Sequence, residues 1–301
     1  MSTSFPLPTE PAAEPILGRD THATVSLQGP RWYRRWPLEV MIAVGFLALL
    51  ALALIVPHWL TRFDPLVSDV SQTLQPPSLQ HLFGTDRIGR DVLSRVLYGA
   101  RYSLLIGLAS VLVSLVVGLV AGIAAGVGKR WVDEPIARVF DVLSAFPSIL
   151  LSLFVVTFLG QGIVNIAIGV GIAGIPKFGR VVRSRTLQIR RADYVTHAVT
   201  FGASRAQVFF HHLLPNVLSA VPVIATIDIG TAIIAVAGLS FLGLGPQPPT
   251  PEWGVMLAEG RDVLRVAWWP SVFPGLAITL TVIAFTVLGK YLQRHFEGRP
   301  R

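Results

Sequence analysis

Few side chains in this sequence have a spacing suited to covalent chemistry or metal binding. The chain contains no cysteine, which excludes thiol nucleophiles, disulfides and cysteine metal sites. His197, His211 and His212 are close in sequence, but their spacing is not that of a helical metal pair. Residues 238–240 match a nucleophile elbow only until Leu242, which stands where a second glycine is needed. We therefore predict no metal site and no catalytic residue.

Two glycine motifs could suggest nucleotide binding. Residues 169–174 match the dinucleotide pattern G-x-G-x-x-G, but they lie in an apolar run that follows no soluble strand. Helix packing explains these glycines better. Lys129 follows Gly128 without the upstream glycine spacing or the Ser/Thr of a phosphate loop. The chain itself is therefore predicted to bind neither ATP nor any other cofactor.

Asp228 is a carboxylate about midway along an apolar run, residues 217–244. Ionisable side chains are costly inside a membrane, and they usually face a cavity or a partner group. Asp228 could line a translocation path and sense the charge of a substrate amine or cation. Alternatively, it could be hydrogen-bonded between helices or held protonated. Both interpretations remain open at this stage.

A polar and basic segment, residues 190–215, separates two long apolar runs. We predict two short helices with a corner at Gly202, because glycine adopts unusual backbone angles without steric cost. Ser204 and Gln207 have the spacing of a capping box at the start of the second helix. Pro215 is predicted to end that helix. A bent helical pair of this kind is suited to being bound by another protein.

The composition indicates that lipid is the solvent for most of the chain. The 301 residues are 52% hydrophobic and 14% charged, with a mean hydropathy of +0.61, whereas a soluble domain has about 25% charged residues. The net charge of +8 could suggest nucleic acid, but the basic residues cluster beside apolar runs, which is typical of membrane topology. We therefore predict an all-α membrane protein that contacts lipid and no nucleic acid.

Six apolar runs are predicted to cross a bilayer as helices, although the fourth is short of the ~20 residues usually needed. They are residues 40–60, 103–127, 142–159, 163–182, 217–244 and 274–288. The fourth is predicted to run on into the cytoplasm, with Lys177 and Arg180 snorkelling to the interface. The second contains Gly118, Gly122 and Gly126, a spacing that lets a neighbouring helix approach closely. Residues 61–101 and 246–270 are predicted to lie outside the membrane.

The distribution of basic residues predicts the orientation. With the N-terminus inside, the inner segments contain 18 Lys and Arg and the outer segments contain 7, so both termini should be cytoplasmic. The chain then divides into a disordered cytoplasmic tail, a first helix with an extracytoplasmic segment, a five-helix core and a cytoplasmic C-terminal tail. These parts are residues 1–37, 38–102, 103–289 and 290–301.

Three blocks resemble the permease subunits of bacterial ABC importers. The segment 190–215 is similar to the E-A-A-x3-G-x9-I-x-L-P loop of these permeases. Residues on that pattern are Ala198, Gly202, Leu214 and Pro215, and departures from it are Thr196, His197 and His212. Residues 81–101 and 239–254 resemble two blocks of the second permease in dipeptide, oligopeptide and nickel importers. Val236 departs from that branch, which often has Glu there.

The resemblance implies a type I ABC importer permease fold with six transmembrane helices in the bacterial inner membrane. Residues 190–215 would then form the coupling helices, which lie in a groove on an ATPase subunit. The implied coupling residues are Thr196, His197, Ala198, Gly202, Ala203, Ser204, Leu214 and Pro215. The implied partners are a homologous second permease, two ATP-binding subunits that hold ATP and Mg, an extracytoplasmic binding protein and a peptide substrate. A nickel or other small-ligand permease and a stand-alone secondary transporter are the alternatives.

The block at residues 81–95 alternates acidic and basic side chains. These are Asp86, Arg87, Arg90, Asp91 and Arg95. They could form a docking surface for the external binding protein. They could also belong to a solvated outer helix, in which Asp91 pairs with Arg87 and Arg95 at a spacing of four residues.

Overall fold

The structure of the chain is a computed structural model that describes residues 36–219 and 221–296. The predicted tail at residues 1–37 lies outside this range except for Trp36 and Pro37, and so do residues 297–301. From Pro37 onwards the described residues form one compact unit. Within it the secondary structure is helical apart from connecting segments and one isolated antiparallel bridge between Thr85 and Asp91.

Eleven α-helices occur in the described residues. A π-helical segment, Val208–Leu213, lies between the seventh and the eighth. The helices are α1 Leu38–Ile55, α2 Val92–Val127, α3 Arg130–Ser144, α4 Ser148–Leu159, α5 Ile163–Arg190, α6 Asp193–Thr200, α7 Arg205–Gln207, α8 Leu214–Leu218, α9 Val221–Phe241, α10 Trp253–Arg261 and α11 Trp269–Phe296.

Five stretches of the described chain are helical, long and apolar enough to cross a membrane. They are α1, α2, α5, α11 and the helical segments between Arg205 and Phe241 apart from residue 220. The pair α3 and α4 counts as a sixth span if its 94° bend is a break within one crossing. Residues 142–159, predicted as the third span, do not form one continuous helix. Pro147 lies directly before α4 and disfavours helical geometry at Phe146. Helix α3 therefore ends at Ser144, shortly before the proline.

Helix α2 starts at Val92, well before the predicted start at Ser103. Asp91 caps it, because its Oδ1 accepts a hydrogen bond from the Ser94 backbone N–H at 2.7 Å. Ser94 and Arg95 in the added turns are buried within the protein. The sequence prediction failed here because these polar turns are surrounded by protein rather than by lipid. Helix α5 continues beyond residue 182 to Arg190, which confirms the predicted continuation as a helix.

The glycines of α2 bring it against α5, as their spacing predicts. A Cβ on Gly118 would lie 2.7 Å from the Cβ of Phe178. A Cβ on Gly122 would lie 2.6 Å from the carbonyl oxygen of Gly179. These distances are below van der Waals contact, so the two helices approach as closely as small residues allow. Close packing therefore joins α2 to the helix that leads into residues 190–215.

The region predicted as an outer loop, residues 246–270, contributes to the core. It contains α10, whose first residue Trp253 is fully buried and donates from Nε1 to the Val96 carbonyl at 2.8 Å. Glu252 is also fully buried and accepts a hydrogen bond from the Ser103 hydroxyl at 3.0 Å. This burial raises the pKa of the Glu252 carboxyl above its ordinary value. Sequence patterns did not reveal this helix and its burial, because tertiary contacts satisfy its polar groups.

Candidate functional site

The corner at Gly202 has the predicted geometry. Gly202 has a φ of +89°, in the left-handed region that favours glycine. Its N–H donates to the Val199 carbonyl at 3.0 Å, and the Ala203 N–H donates to the Ala198 carbonyl at 3.0 Å. These bonds close the last turn of α6, as in common helix C-caps. No heavy atom lies within 4 Å of a Cβ built on Gly202, so the backbone angle alone requires glycine.

The second helical part of residues 190–215 begins at the predicted capping box. The Gln207 N–H donates to the Ser204 hydroxyl at 3.2 Å, and the Ser204 N–H donates to Gln207 Oε1 at 2.8 Å. The prediction that Pro215 ends this helix is wrong. The π-helical segment ends at Leu213 and α8 starts at Leu214, so Pro215 lies in a first turn where its missing N–H costs little.

Apolar side chains at the corner are exposed on the surface of the protein. Phe201 is 88% exposed, and Val199 and Phe210 are also exposed. Among the predicted coupling residues, five are exposed and three are half-buried. The exposed ones are Thr196, His197, Gly202, Ser204 and Pro215, and the half-buried ones are Ala198, Ala203 and Leu214. Sequence reasoning missed Phe201, although a large aromatic residue beside the corner glycine was a visible signal.

Residues 190–215 are joined to the helical body by an apolar cluster and by an arginine. Val182 of α5 packs with Leu213 and Val217, and these three side chains are buried. Arg190 donates to the carbonyl of Val127 at 3.1 Å, at the C-terminal end of α2. A cation is favourable at that end of a helix because the last carbonyls carry partial negative charge. The corner is therefore connected to both α2 and α5.

Two further arginines of α5 bind the bent pair α3 and α4 through α3. Arg183 donates from Nη2 to Asp133 Oδ2 at 2.7 Å, and its Nε also contacts that carboxylate. Arg180 donates to Asp141 Oδ1 at 3.0 Å, rather than only snorkelling to the interface as predicted. The bidentate Arg183 pair is the more specific of the two, because both carboxylate oxygens accept.

Asp228 of α9 is buried and accepts a hydrogen bond from Nζ of Lys177 in α5. The Lys177 side chain is 47% exposed, and the Asp228 side chain is 10% exposed. The prediction that Lys177 snorkels to the interface did not include this pairing. The two residues are 51 positions apart, so no local pattern in the sequence signals the contact.

The acidic and basic side chains of residues 81–95 form a buried cluster, and the predicted pairings of Asp91 with Arg87 and Arg95 are wrong. Arg90 donates to Asp86 Oδ2 at 2.6 Å and to Glu259 Oε2 at 3.1 Å. Arg95 donates to the same oxygen of Glu259 at 2.9 Å. The sequence prediction missed Glu259, which lies more than 160 positions away on α10.

Asp91 has a different partner. Its Oδ2 lies 2.9 Å from Nδ1 of His81, while its Oδ1 caps α2. Of the five residues in the predicted docking set, Arg87 alone has an exposed side chain, and Asp86, Arg90, Asp91 and Arg95 are buried. The buried charges therefore hold the outer segment against α2 and α10.

The long apolar helices fit a multi-pass membrane permease, and the family comparison identifies the class as ABC importers. Residues 118–301 match the model of the family described as "Binding-protein-dependent transport system inner membrane component", and the chain belongs to this family.

Relatives and solved structures agree with this membership. The chain is 45% identical over 282 residues to the glutathione transport system permease protein GsiD of Salmonella typhimurium, covering 93% of each. It is 44% identical over 282 residues to the GsiD protein of Escherichia coli O6:K15:H31, again covering 93% of each chain.

Two solved structures share the fold. An inward-facing structure of the MetNI methionine ABC transporter is 17% identical, with a TM-score of 0.57, covering 67% of this chain and 96% of that one. A crystal structure of an amino acid ABC transporter with histidines is 12% identical, with a TM-score of 0.54, covering 67% and 94%. The chain thus has the fold of a type I ABC importer permease and is a multi-pass inner-membrane protein.

Proposed function

We propose that this permease imports peptides, as one of two homologous permeases that share a translocation path. Two ATPase subunits would supply the energy, and an extracytoplasmic binding protein would deliver the substrate. The observation that carries the proposal is the 45% identity, over 93% of both chains, to permeases named for glutathione transport. Glutathione is a small peptide. A dipeptide or oligopeptide substrate belongs to the same chemical class.

Residues 190–215 are the proposed coupling segment, on the cytoplasmic side of the membrane. Support comes from the exposed apolar side chains at the corner, since exposed apolar patches commonly mark protein–protein contacts. A groove on the ATPase would cover Phe201 and the residues around it. Closure of the ATPase subunits would then move α6 and α7, and through Arg190 and the buried cluster the motion would pass to α2 and α5. The path would open alternately to the two sides.

The chemistry of ATP hydrolysis is assigned to the partner subunits, with their ATP and Mg. The permease contributes the path, for which Asp228 is the proposed polar group. On the outer side, Arg87 and its exposed neighbours are the proposed contact for the binding protein. Asp86, Arg90, Asp91 and Arg95 would position that surface rather than touch the partner, because they are buried.

Uptake by the reconstituted complex tests the proposal. Proteoliposomes containing both permeases, both ATPase subunits and the binding protein should accumulate glutathione or a dipeptide when ATP is supplied inside. Accumulation of Ni²⁺ but of neither peptide would contradict peptide import. Peptide uptake that persists without the ATPase subunits would indicate a stand-alone transporter instead.

A further inference from the structure

In the ion pair between Lys177 and Asp228, the lysine side chain reaches the surface of the protein. The Lys177 ammonium bonds one oxygen of Asp228, and its side chain is half exposed, whereas the carboxylate is largely covered. A lysine ammonium has three N–H donors. The pair uses one of them, and the structure shows no other acceptor at Lys177 among the described residues. Donors therefore remain available at the exposed side of the pair.

The depth of this pair argues against lipid contact. Lys177 is fourteen residues beyond the first residue of α5, Ile163, which corresponds to about 21 Å along a helix that must cross a hydrocarbon core of ~30 Å. An exposed ammonium at that depth would be costly against hydrocarbon. A water-filled cavity or a neighbouring subunit on the exposed side of Lys177 would avoid this cost.

Two small residues lie one helical turn from the pair, one on each helix. Gly174 lies one turn before Lys177 on α5, and a Cβ built on it would clash with the hydroxyl oxygen of Ser114 on α2 and would be 3.9 Å from Asp228 Oδ2. Thr231 lies one turn after Asp228 on α9 and is exposed. A polar group of a substrate could approach Lys177 from its exposed side.

We propose that Lys177 and Asp228 form a binding site for a zwitterionic peptide within the translocation path. The proposal rests on the proposed function of peptide import. Lys177 would bind a substrate carboxylate, and Asp228 would bind the substrate ammonium, so the two side chains separate when substrate enters. Each of the two charges then keeps an opposite charge as partner, and the net charge of the site does not change. Breaking the pair without such replacement would leave a buried carboxylate uncompensated, which is strongly unfavourable.

Lys177→Gln tests the carboxylate contact. Uptake of glutathione and of its glycine-amide analogue is measured on the complete complex, each at a concentration that saturates the binding protein. The same binding protein serves the unmodified permease and Lys177→Gln. Its own preference between the two substrates therefore cancels when the two permeases are compared. We expect Lys177→Gln to reduce glutathione uptake about tenfold or more, the loss expected for a charge-assisted hydrogen bond. Uptake of the amide should change far less.

Two variants serve as controls. Lys177→Arg keeps the charge and should retain the preference for the free carboxylate. Arg180→Gln removes the next exposed basic residue of α5, which binds Asp141 instead, and should affect both substrates equally. Asp228→Asn provides an independent arm. It should reduce uptake of glutathione more than uptake of N-acetylglutathione, which has no ammonium.

Different results would contradict the proposed binding site and the proposed function of peptide import. If Lys177→Gln and Asp228→Asn lower uptake of each peptide and of its blocked analogue by the same factor, the substrate-binding site is overturned. It is also overturned if Lys177→Gln loses the second permease on purification, because Lys177 would then be a subunit contact. Failure of the unmodified complex to take up any peptide would instead overturn peptide import.

Discussion

Replacing Gly202 with valine is expected to abolish uptake while ATP hydrolysis continues. A β-branched residue at a φ of +89° is a strong outlier, and holding a residue in such a conformation costs on the order of 1–3 kcal/mol. The backbone should therefore relax and change the angle between α6 and α7. Because open space surrounds the added side chain, the helical core stays intact. Uptake and ATP hydrolysis are measured on the same proteoliposomes.

Two substitutions control for this effect. Gly202→Asn should retain most of the uptake, because asparagine tolerates left-handed backbone angles better than valine does. Gly45→Val adds the same side chain in open space on α1, at an ordinary helical position, and should leave coupling unchanged. Full uptake by Gly202→Val would show that the corner is not needed for coupling.

Gly122→Val is expected to prevent correct folding of the permease core. The new Cβ would lie 2.6 Å from the carbonyl oxygen of Gly179, a backbone atom of α5 that cannot move aside as a flexible side chain would. Overpacking of this kind costs about 1–3 kcal/mol and occasionally more. The valine methyl groups would add clashes with Val182, whose Cβ is 2.8 Å from the same point. The expected result is a large drop in the yield of monodisperse protein and in its unfolding temperature.

Val120→Leu is the matched control for Gly122→Val. It enlarges a side chain two residues away on the same helix, but Val120 is 65% exposed. Its unfolding temperature should stay close to that of the unmodified protein. A Gly122→Val protein that is as stable as Val120→Leu would contradict the close packing of α2 on α5.

The features that could be predicted from the sequence depend on short spacings. The four-residue repeat of Gly118 and Gly122, the corner at Gly202 and the capping box from Ser204 to Gln207 all involve residues within a turn or two of each other. Local geometry decides such features. The apolar runs were also recognisable locally. A helix in lipid satisfies its own backbone hydrogen bonds, so a single continuous segment carries the whole signal.

The contacts that were missed join residues distant in sequence. Glu259 binds Arg90 and Arg95, and Lys177 binds Asp228, and neither contact follows any local period. The burial of polar side chains in residues 61–101 and 246–270 was missed for a related reason. Charged and polar side chains excluded them from lipid, but tertiary packing buries those side chains in protein, where partners replace water.

The most direct test of the central claim concerns the side of the membrane on which Phe201 lies. Because the chain has no cysteine, Phe201→Cys gives a single thiol at the exposed corner, and Leu79→Cys gives a control thiol on the segment between α1 and α2 that is 99% exposed. A membrane-impermeant maleimide is added to right-side-out and inside-out vesicles, with and without the ATPase subunits. We predict that the cysteine at position 201 reacts only in inside-out vesicles stripped of the ATPase, and that the cysteine at position 79 reacts only in right-side-out vesicles. Reaction of position 201 from the outside would contradict a cytoplasmic coupling segment.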